Sequence, residues 1–252
     1  MLIRNFSAIT IFFIFAAMNS SAQLSFKQEQ LNHIRVKDAF EEKDLLLSAM
    51  FLSKGLPYPP KEIFLRAFKL ERDLEVWVWS DLDSQFVLLH TYDICDLSGK
   101  LGPKRKQGDK QIPEGFYHIR IFNPESSFHL SLGLDYPNES DRILSNAADL
   151  GGDIYIHGDC VTIGCLPITD DKIKELYCLS VLSRDSGQTE IPVHIFPARL
   201  DKKNTDLLKI KFGETSALYK FWLNLKPAYD HFEIYHCLPA ISVATDGDYL
   251  VW

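Results

Sequence analysis

Cysteine is scarce in this 252-residue sequence, and its five cysteines never form the C-x-x-C pair that is common in zinc and redox sites. Among candidate metal ligands, His157, Cys160 and Cys165 lie close together, but no fourth ligand follows nearby. The zinc deaminase signature is absent, because Asp159 stands where that signature has glutamate and no P-C-x-x-C follows. We therefore expect neither a metal nor an organic cofactor.

Long apolar runs are also missing after the first 22 residues. Within residues 1–22, Arg4 precedes an apolar run over residues 8–18, and small residues lead up to Ala22. This order is typical of a secretory signal peptide and predicts cleavage after Ala22. A retained anchor is the alternative, but the run is too short to span a bilayer comfortably. No cysteine follows the run, which argues against a lipid-modified N terminus.

An excess of positive charge is missing too. The full sequence has a formal net charge of −7, and an acidic chain of this kind binds nucleic acid poorly. Its basic residues do cluster once, within residues 100–110, where glycines, a proline and an aspartate interrupt them. We interpret this cluster as a solvated loop, with a contact to an anionic substrate as the alternative. Nucleic acid is not an expected partner.

Short runs rich in β-branched and aromatic residues, separated by polar turns, fill the middle of the chain. They span residues 62–69, 74–79, 86–92, 116–122, 129–134, 153–157 and 192–197. Their length and spacing predict a mostly antiparallel sandwich or barrel-like β domain.

Helical patterns surround and interrupt these strands. Apolar residues recur at helical intervals near the N terminus, and helix N-caps at Thr169 and Asp170 precede a periodic segment that Gly187 ends. A third helix is predicted over residues 215–226. We therefore predict an α+β fold. Its parts are a helical N-terminal segment over residues 23–60, a catalytic domain over residues 61–200, and a helical extension over residues 201–252 that packs on that domain.

One stretch, I-H-G-D-C-V-T-I-G-C at residues 156–165, carries the chemistry. A Cys160–Cys165 disulfide and a core strand with a coincidental histidine are possible interpretations. A third is nucleophilic catalysis, in which an imidazole takes the proton of a cysteine. Gly164 precedes Cys165 and permits a close backbone approach to a substrate carbonyl, which favours Cys165 over Cys160 as nucleophile. Backbone N–H groups at Gly164 and Cys165 would then form an oxyanion hole.

This stretch resembles the active-site signature of the L,D-transpeptidase (YkuD-type) catalytic domain. Two further segments carry the resemblance, G-P-K-R-K-Q-G-D-K-Q-I-P-E-G-F-Y-H-I at residues 102–119 and S-F-H-L-S-L-G-L-D-Y-P-N at residues 127–138. The resemblance covers residues 60 to 200. The tail, with F-W-L-N-L-K-P, is similar to the murein-acting subgroup that includes an enzyme releasing a lipoprotein from peptidoglycan.

The resemblance implies a periplasmic enzyme that acts on peptidoglycan stem tetrapeptides. Cys165 would attack the diaminopimelate carbonyl and expel D-alanine, with His157 as general base and the Gly158 carbonyl orienting its ring. An amine acceptor makes the enzyme a transpeptidase, water makes it a carboxypeptidase, and attack on a bond to a lipoprotein lysine makes it an amidase. A peptidoglycan-binding protein without turnover is a further alternative.

Other expectations accompany this mechanism. We assign substrate contacts to five residues, His129, Tyr136, Asn138, Thr162 and Lys104. The resemblance further implies inhibition by carbapenems, and we expect a monomer. A peptidoglycan-linked lipoprotein is a candidate partner.

The sequence departs from the commoner family pattern S/T-H-G-C-x-R at two positions. Ile163 stands where a histidine is usual, and Pro167 stands where an arginine is. The loss of the arginine removes an expected contact to a substrate carboxylate. Cys160 has no role in the family pattern, and we predict either a structural thiol or a redox brake that pairs with Cys165.

Overall fold

A computed structural model describes residues 24–252 as six helices and ten strands. The predicted signal peptide and its cut after Ala22 lie outside the described residues. The helices are α1 (Phe26–Gln30), α2 (Ile34–Ser53), α3 (Glu139–Leu144), α4 (Asp170–Asp185), α5 (Lys202–Phe212) and α6 (Ala217–Tyr235). The strands are β1 (Ile63–Phe68), β2 (Asp73–Ser80), β3 (Gln85–Asp93), β4 (Gly115–Asn123), β5 (Ser131–Leu134), β6 (Tyr155–His157), β7 (Leu166–Pro167), β8 (Ile191–Phe196), β9 (Ile241–Val243) and β10 (Tyr249–Val251).

Eight strands form one mixed sheet in the order β3-β2-β1-β8-β4-β5-β6-β7, while β9 and β10 pair separately. Five of the seven neighbouring pairs in the large sheet are antiparallel, and β1·β8 and β6·β7 are parallel. The α+β prediction is confirmed, as are the helical N-terminal segment and the helical tail. Within residues 24–252, no helix is both long enough and apolar enough to span a membrane.

The two faces of the sheet pack against different helices. On one face, buried residues of α2 and α4 join Tyr117, Leu132 and Ile156 from three strands in the largest apolar core. On the other face, Trp222 and Tyr229 of α6 pack with aromatic residues of β1, β4 and β8. Burial of apolar surface on both faces fixes the central strands and leaves the β6–β7 edge to carry a loop.

A short connection at that edge returns the chain beside itself. Strand β6 ends at His157, and β7 runs parallel to it with Ile156 opposite Leu166. The eight connecting residues, 158–165, therefore begin after the histidine and end at Cys165. This return places the two candidate catalytic residues at one sheet edge.

A buried histidine makes the fold sensitive to acid. Burial, aided by the nearby charge of Arg66, lowers the pKa of His194 to about 3, whereas an unfolded histidine titrates near ~6.5. Between these pH values the unfolded chain binds a proton that the folded chain excludes, so stability falls as pH drops below ~6.5.

We expect His194→Phe to reduce this acid sensitivity, because the replacement cannot titrate among its aromatic neighbours Phe64 and Phe116. Between pH 7 and pH 4 the variant should lose about 3 kcal/mol less unfolding free energy than the parent protein. Urea unfolding at several pH values measures the difference. Equal pH dependence in both proteins would contradict the assignment.

Candidate active site

His157 is held rigidly at the end of β6. Its side chain is buried, its Nδ1 lies 2.6 Å from the Gly158 carbonyl oxygen, and its ring lies 4.6 Å from that of Phe128. A donor at Nδ1 leaves Nε2 free to accept a proton. Burial lowers the pKa of His157, which keeps the imidazole neutral near pH 7. The Gly158 carbonyl thus lies where an orienting group is needed.

Cys165 is half-buried, and its sulfur forms hydrogen bonds with the backbone at and just before β6. Its Sγ accepts the Tyr155 N–H at 3.4 Å and lies 3.5 Å from the Asp153 carbonyl oxygen. Burial raises the pKa of the Cys165 thiol, against smaller lowering effects of the Tyr155 N–H and the Lys104 charge. The resting group is therefore a thiol, and it needs a base to become a nucleophile.

Two adjoining pockets meet at this pair of residues. A pocket of about 350 Å³ is lined by Asn123, Ser126, Ser127, Phe128, Ser131, Asp153, Tyr155, His157, Ile163 and Cys165. A second, of about 230 Å³, is lined by Phe128, His157, Val161, Thr162, Ile163 and Cys165. The larger pocket has a polar wall of serine and asparagine, and the smaller has an apolar wall. Cys165 and His157 line both.

Thr162 organises the loop before Cys165. Its hydroxyl oxygen accepts the N–H groups of Gly164 at 3.1 Å and Cys165 at 2.8 Å, and it donates to the Cys165 carbonyl at 2.8 Å. These are the two N–H groups that the sequence assigns to an oxyanion hole. Here they face the threonine hydroxyl, so the oxyanion role of Gly164 stays a prediction that requires them to turn toward substrate.

The cysteine pairing differs from both predictions for Cys160. Cys160 forms a disulfide with Cys95, with Cα atoms 5.7 Å apart, and Cys165 is free. The predicted Cys160–Cys165 disulfide is therefore wrong. The reason is geometric: Cys95 follows β3 and donates its N–H to the Pro167 carbonyl, which brings it beside the loop after β6. The bridge ties that loop to the β3 exit.

Four predicted substrate contacts lie outside the two pockets. The Tyr136 hydroxyl donates to the Leu150 carbonyl, and Asn138 caps α3 and bonds to Tyr249. Lys104 is buried, with its Nζ 2.8 Å from Asp109. His129 lines neither pocket, and its Nε2 is buried without a hydrogen-bond partner in the described part of the chain. Turn and loop chemistry accounts for Tyr136, Asn138 and Lys104.

Several pocket residues are absent from the sequence-based assignment. They are Asn123, Ser126, Ser127, Ser131, Asp153 and Tyr155, together with Phe128. The strand register aligns Asn123 with Ser131 and Ser131 with His157, so these side chains share one sheet face. Alternation along the strand containing Tyr155 and His157 would have revealed Tyr155; the others depend on pairing between distant strands.

Metal ligands do not gather at this site. Over residues 24–252, no group of three or more histidine, cysteine, aspartate or glutamate side chains is arranged to hold a metal ion. The chemistry that the arrangement supports is acyl transfer through a thioester, with a neutral imidazole beside a protonated thiol.

Comparison with known proteins also indicates an L,D-transpeptidase relative. No family model matches the sequence. Over 191 residues the chain is 36% identical to the Escherichia coli K12 protein named "Putative L,D-transpeptidase YafK", and the alignment covers 75% of this chain and 73% of that relative. The protein of the same name from Escherichia coli O157:H7 matches to the same extent.

The chain belongs to the L,D-transpeptidase family. Among solved structures, that of the helical cell shape determining protein Pgp2 (K307A mutant) from Campylobacter jejuni aligns with a TM-score of 0.45 and 18% identity. That alignment covers 70% of this chain and 59% of the Pgp2 chain. Bd1075 of Bdellovibrio bacteriovorus aligns with a TM-score of 0.40 and 22% identity, over 71% of this chain and 62% of that one.

The Cys95–Cys160 disulfide should stabilise the protein and the loop of residues 158–165. The bridge spans a sequence separation of 65, so replacing both cysteines by serine should lower the unfolding free energy by about 2–4 kcal/mol. The half-buried free thiol Cys237 provides a matched control, and Cys237→Ser should change stability little. Guanidinium unfolding of both variants measures this, and equal stability of the double variant and the parent protein would contradict it.

Thr162 allows a second test that separates its hydroxyl from its shape. Thr162→Val removes all three hydrogen bonds that order the loop before Cys165, so acylation of Cys165 by a carbapenem should slow roughly 10-fold or more. Thr162→Ser keeps the hydroxyl and should retain most of the rate. Time-resolved intact-mass spectrometry measures acylation. A valine variant that reacts at the parent rate would show that the Thr162 hydroxyl does not contribute to acylation.

Proposed function

We propose that the protein is an exported cell-envelope enzyme that transfers acyl groups at the diaminopimelate carbonyl of peptidoglycan stem tetrapeptides. The observation that carries the proposal is the shared pocket of Cys165 and His157, in which one thiol and one oriented neutral imidazole face the same space. Family membership supports peptidoglycan as the substrate class. Export rests on the signal-like first 22 residues.

The reaction follows from the protonation states of the two groups. As Cys165 Sγ attacks the carbonyl carbon, His157 Nε2 takes the thiol proton, and a tetrahedral intermediate forms. Its collapse breaks the amide bond, and the histidine returns the proton to the leaving amine of D-alanine. An acceptor amine then attacks the thioester, loses a proton to His157, and releases Cys165. Because both groups rest uncharged, the thiol is activated only when substrate arrives.

The paired pockets suit a reaction with two substrates. The serine- and asparagine-lined pocket offers hydrogen bonds to the polar donor peptide. The apolar pocket on the other side of Cys165 leaves room for the acceptor or leaving group. Each substrate then reaches the sulfur from its own side.

An amidase is the second candidate, and the exposed apolar rim favours it. Val161 and Ile163 are 51% and 79% exposed beside Cys165, and Ile163 replaces the family's usual histidine. Such a rim fits the methylene stem of a lysine in a protein joined to diaminopimelate better than it fits a charged group. The same Cys165 and His157 would then release a protein from peptidoglycan.

The decisive experiment incubates the reduced protein with a disaccharide-tetrapeptide and reads protein and products by mass spectrometry. We expect a Cys165 acyl adduct, loss of D-alanine and a cross-linked dimer. Cys165→Ala should abolish all three, while Cys237→Ser should preserve them. An adduct with only tripeptide product would indicate hydrolysis.

Other outcomes separate the alternatives. If the tetrapeptide gives neither adduct nor product, a muropeptide carrying a linked peptide is the next substrate, and its cleavage identifies the amidase. Substrate affinity without turnover on either substrate would identify a binding protein and contradict the proposed activity.

A further inference from the structure

A third pocket lies on the same sheet face as the candidate active site but apart from it. It has a volume of about 310 Å³. Its floor comes from the sheet and its outer wall from the C-terminal segment around β9. Its lining consists of Phe116, Tyr117, His118, Asp135, Asn138, Glu139, Pro192, His194, Leu238, Pro239, Ile241, Ser242, Val243 and Tyr249.

The register of the strands fixes where this pocket stands relative to Cys165. Gly133 pairs with Tyr155, and Tyr155 donates its N–H to Cys165 Sγ. Asp135 follows Gly133 by two residues, so both face the same side of the sheet. The path from Asp135 to Cys165 is two residues along the strand and two strand spacings across, on the order of 12 Å. An extended peptide of about four residues covers that distance.

The third pocket is lined by two acidic side chains as well as by His118, His194 and the uncharged polar residues Asn138 and Ser242. Asp135 and Glu139 both line it, and among the described residues no lysine or arginine side chain does. Asp135 accepts the His118 N–H at 2.8 Å and its Oδ2 lies 3.3 Å from the His118 Nδ1, yet each carboxylate oxygen keeps a further acceptor position. Arg120 stands beside the pocket, with its Nη2 3.0 Å from Glu190 and its Nε 3.9 Å from Asp135, so its charge is shared between these two acids.

Most of the remaining lining is apolar. Leu238, Pro239, Ile241 and Val243 form the wall opposite the sheet, and the aromatic rings of Phe116 and Tyr249 stack edge to face at 4.6 Å. An apolar cleft that ends in carboxylates matches a ligand with a hydrocarbon stem and a cationic tip. The aromatic faces add attraction for a cation.

We propose that this pocket binds a lysine side chain of a polypeptide that lies along the sheet toward Cys165. The methylenes pack between the Ile241–Val243 wall and Phe116, and the ammonium group bonds to Asp135 and Glu139. A zwitterionic amino-acid end fits less well, because its carboxylate would approach both acidic side chains. The proposal does not require acyl transfer at Cys165; it gives the C-terminal segment a role in binding.

The test compares three capped tripeptides that share one backbone and differ at the middle residue. The middle residue is lysine, Nε-acetyllysine or norleucine. All three have the same straight carbon chain, but the last two lack the positive charge. With the full chain, isothermal titration should show binding of the lysine peptide and at least tenfold weaker binding of the other two. Equal binding of the norleucine peptide would overturn the proposal. A fourth tripeptide has diaminopimelate at the middle position, and because that side chain ends as a zwitterion, equal binding of this peptide would also overturn the proposal.

Variants assign the binding to this pocket. The double variant Asp135→Asn/Glu139→Gln should weaken the lysine peptide at least tenfold. Glu214→Gln, at an exposed acid outside the pocket, should not. Unchanged affinity of the double variant would overturn the proposal.

Two more variants test whether a loss of binding comes from misfolding and whether binding depends on catalysis. Ile241→Trp fills the pocket from the opposite wall, so it should also abolish binding even if the double variant does not fold. Cys165→Ala should bind the lysine peptide normally. Loss of turnover with retained peptide binding then separates failure of the proposed catalytic function from failure of this site.

Discussion

The parallel pairing of β6 with β7 is the constraint on which the candidate site depends. It sets Pro167 opposite His157 and therefore brings Cys165, one residue before β7, back beside Tyr155. Parallel neighbours usually need a long crossover, and this chain returns within eight residues. A connection this short leaves no room in the loop itself for regular backbone hydrogen bonds between strands. Side-chain hydrogen bonds and a disulfide hold the connecting loop instead. The Thr162 hydroxyl satisfies the N–H groups near Cys165, and Cys160 anchors the loop through Cys95.

Burial controls the reactivity of the site. Burial lowers the pKa of His157 and raises that of Cys165, so neither group is charged at rest. A preformed thiolate would be exposed to oxidants in an oxidising compartment, whereas a thiol reacts slowly. The neighbouring disulfide serves the same end, because it removes Cys160 from the set of thiols that could combine with Cys165. In the proposed reaction the thiol would therefore lose its proton only as it attacks a substrate carbonyl.

The part of the site that is local in sequence could be predicted, and the part that depends on distant contacts could not. His157, Gly158 and Cys165 lie within nine consecutive residues, so a motif of that length is enough to predict that they share one site. The Cys95–Cys160 bridge joins residues 65 apart, and cysteine spacing alone does not determine connectivity. Local signals also misled at Pro227, because α6 continues through it to Tyr235, nine residues past the predicted end at Lys226. Burial of Tyr229 and Phe232 against the sheet outweighs the backbone hydrogen bond that proline omits.

The loss of the family's arginine has a structural consequence for the donor peptide. Pro167 is buried in the short edge strand β7, where the missing N–H of proline is tolerated. In the described residues, neither pocket at Cys165 is lined by lysine or arginine, so no cation replaces the missing guanidinium there. In the proposed reaction a donor carboxylate would then be held by neutral donors, and the polar wall of Asn123, Ser127 and Ser131 offers them. Neutral donors attract a carboxylate less strongly than a guanidinium does, so discrimination shifts to the apolar side of the cysteine. In the proposed reaction the departures at residues 163 and 167 would therefore act together, one weakening selection for charge and the other adding selection for an aliphatic group.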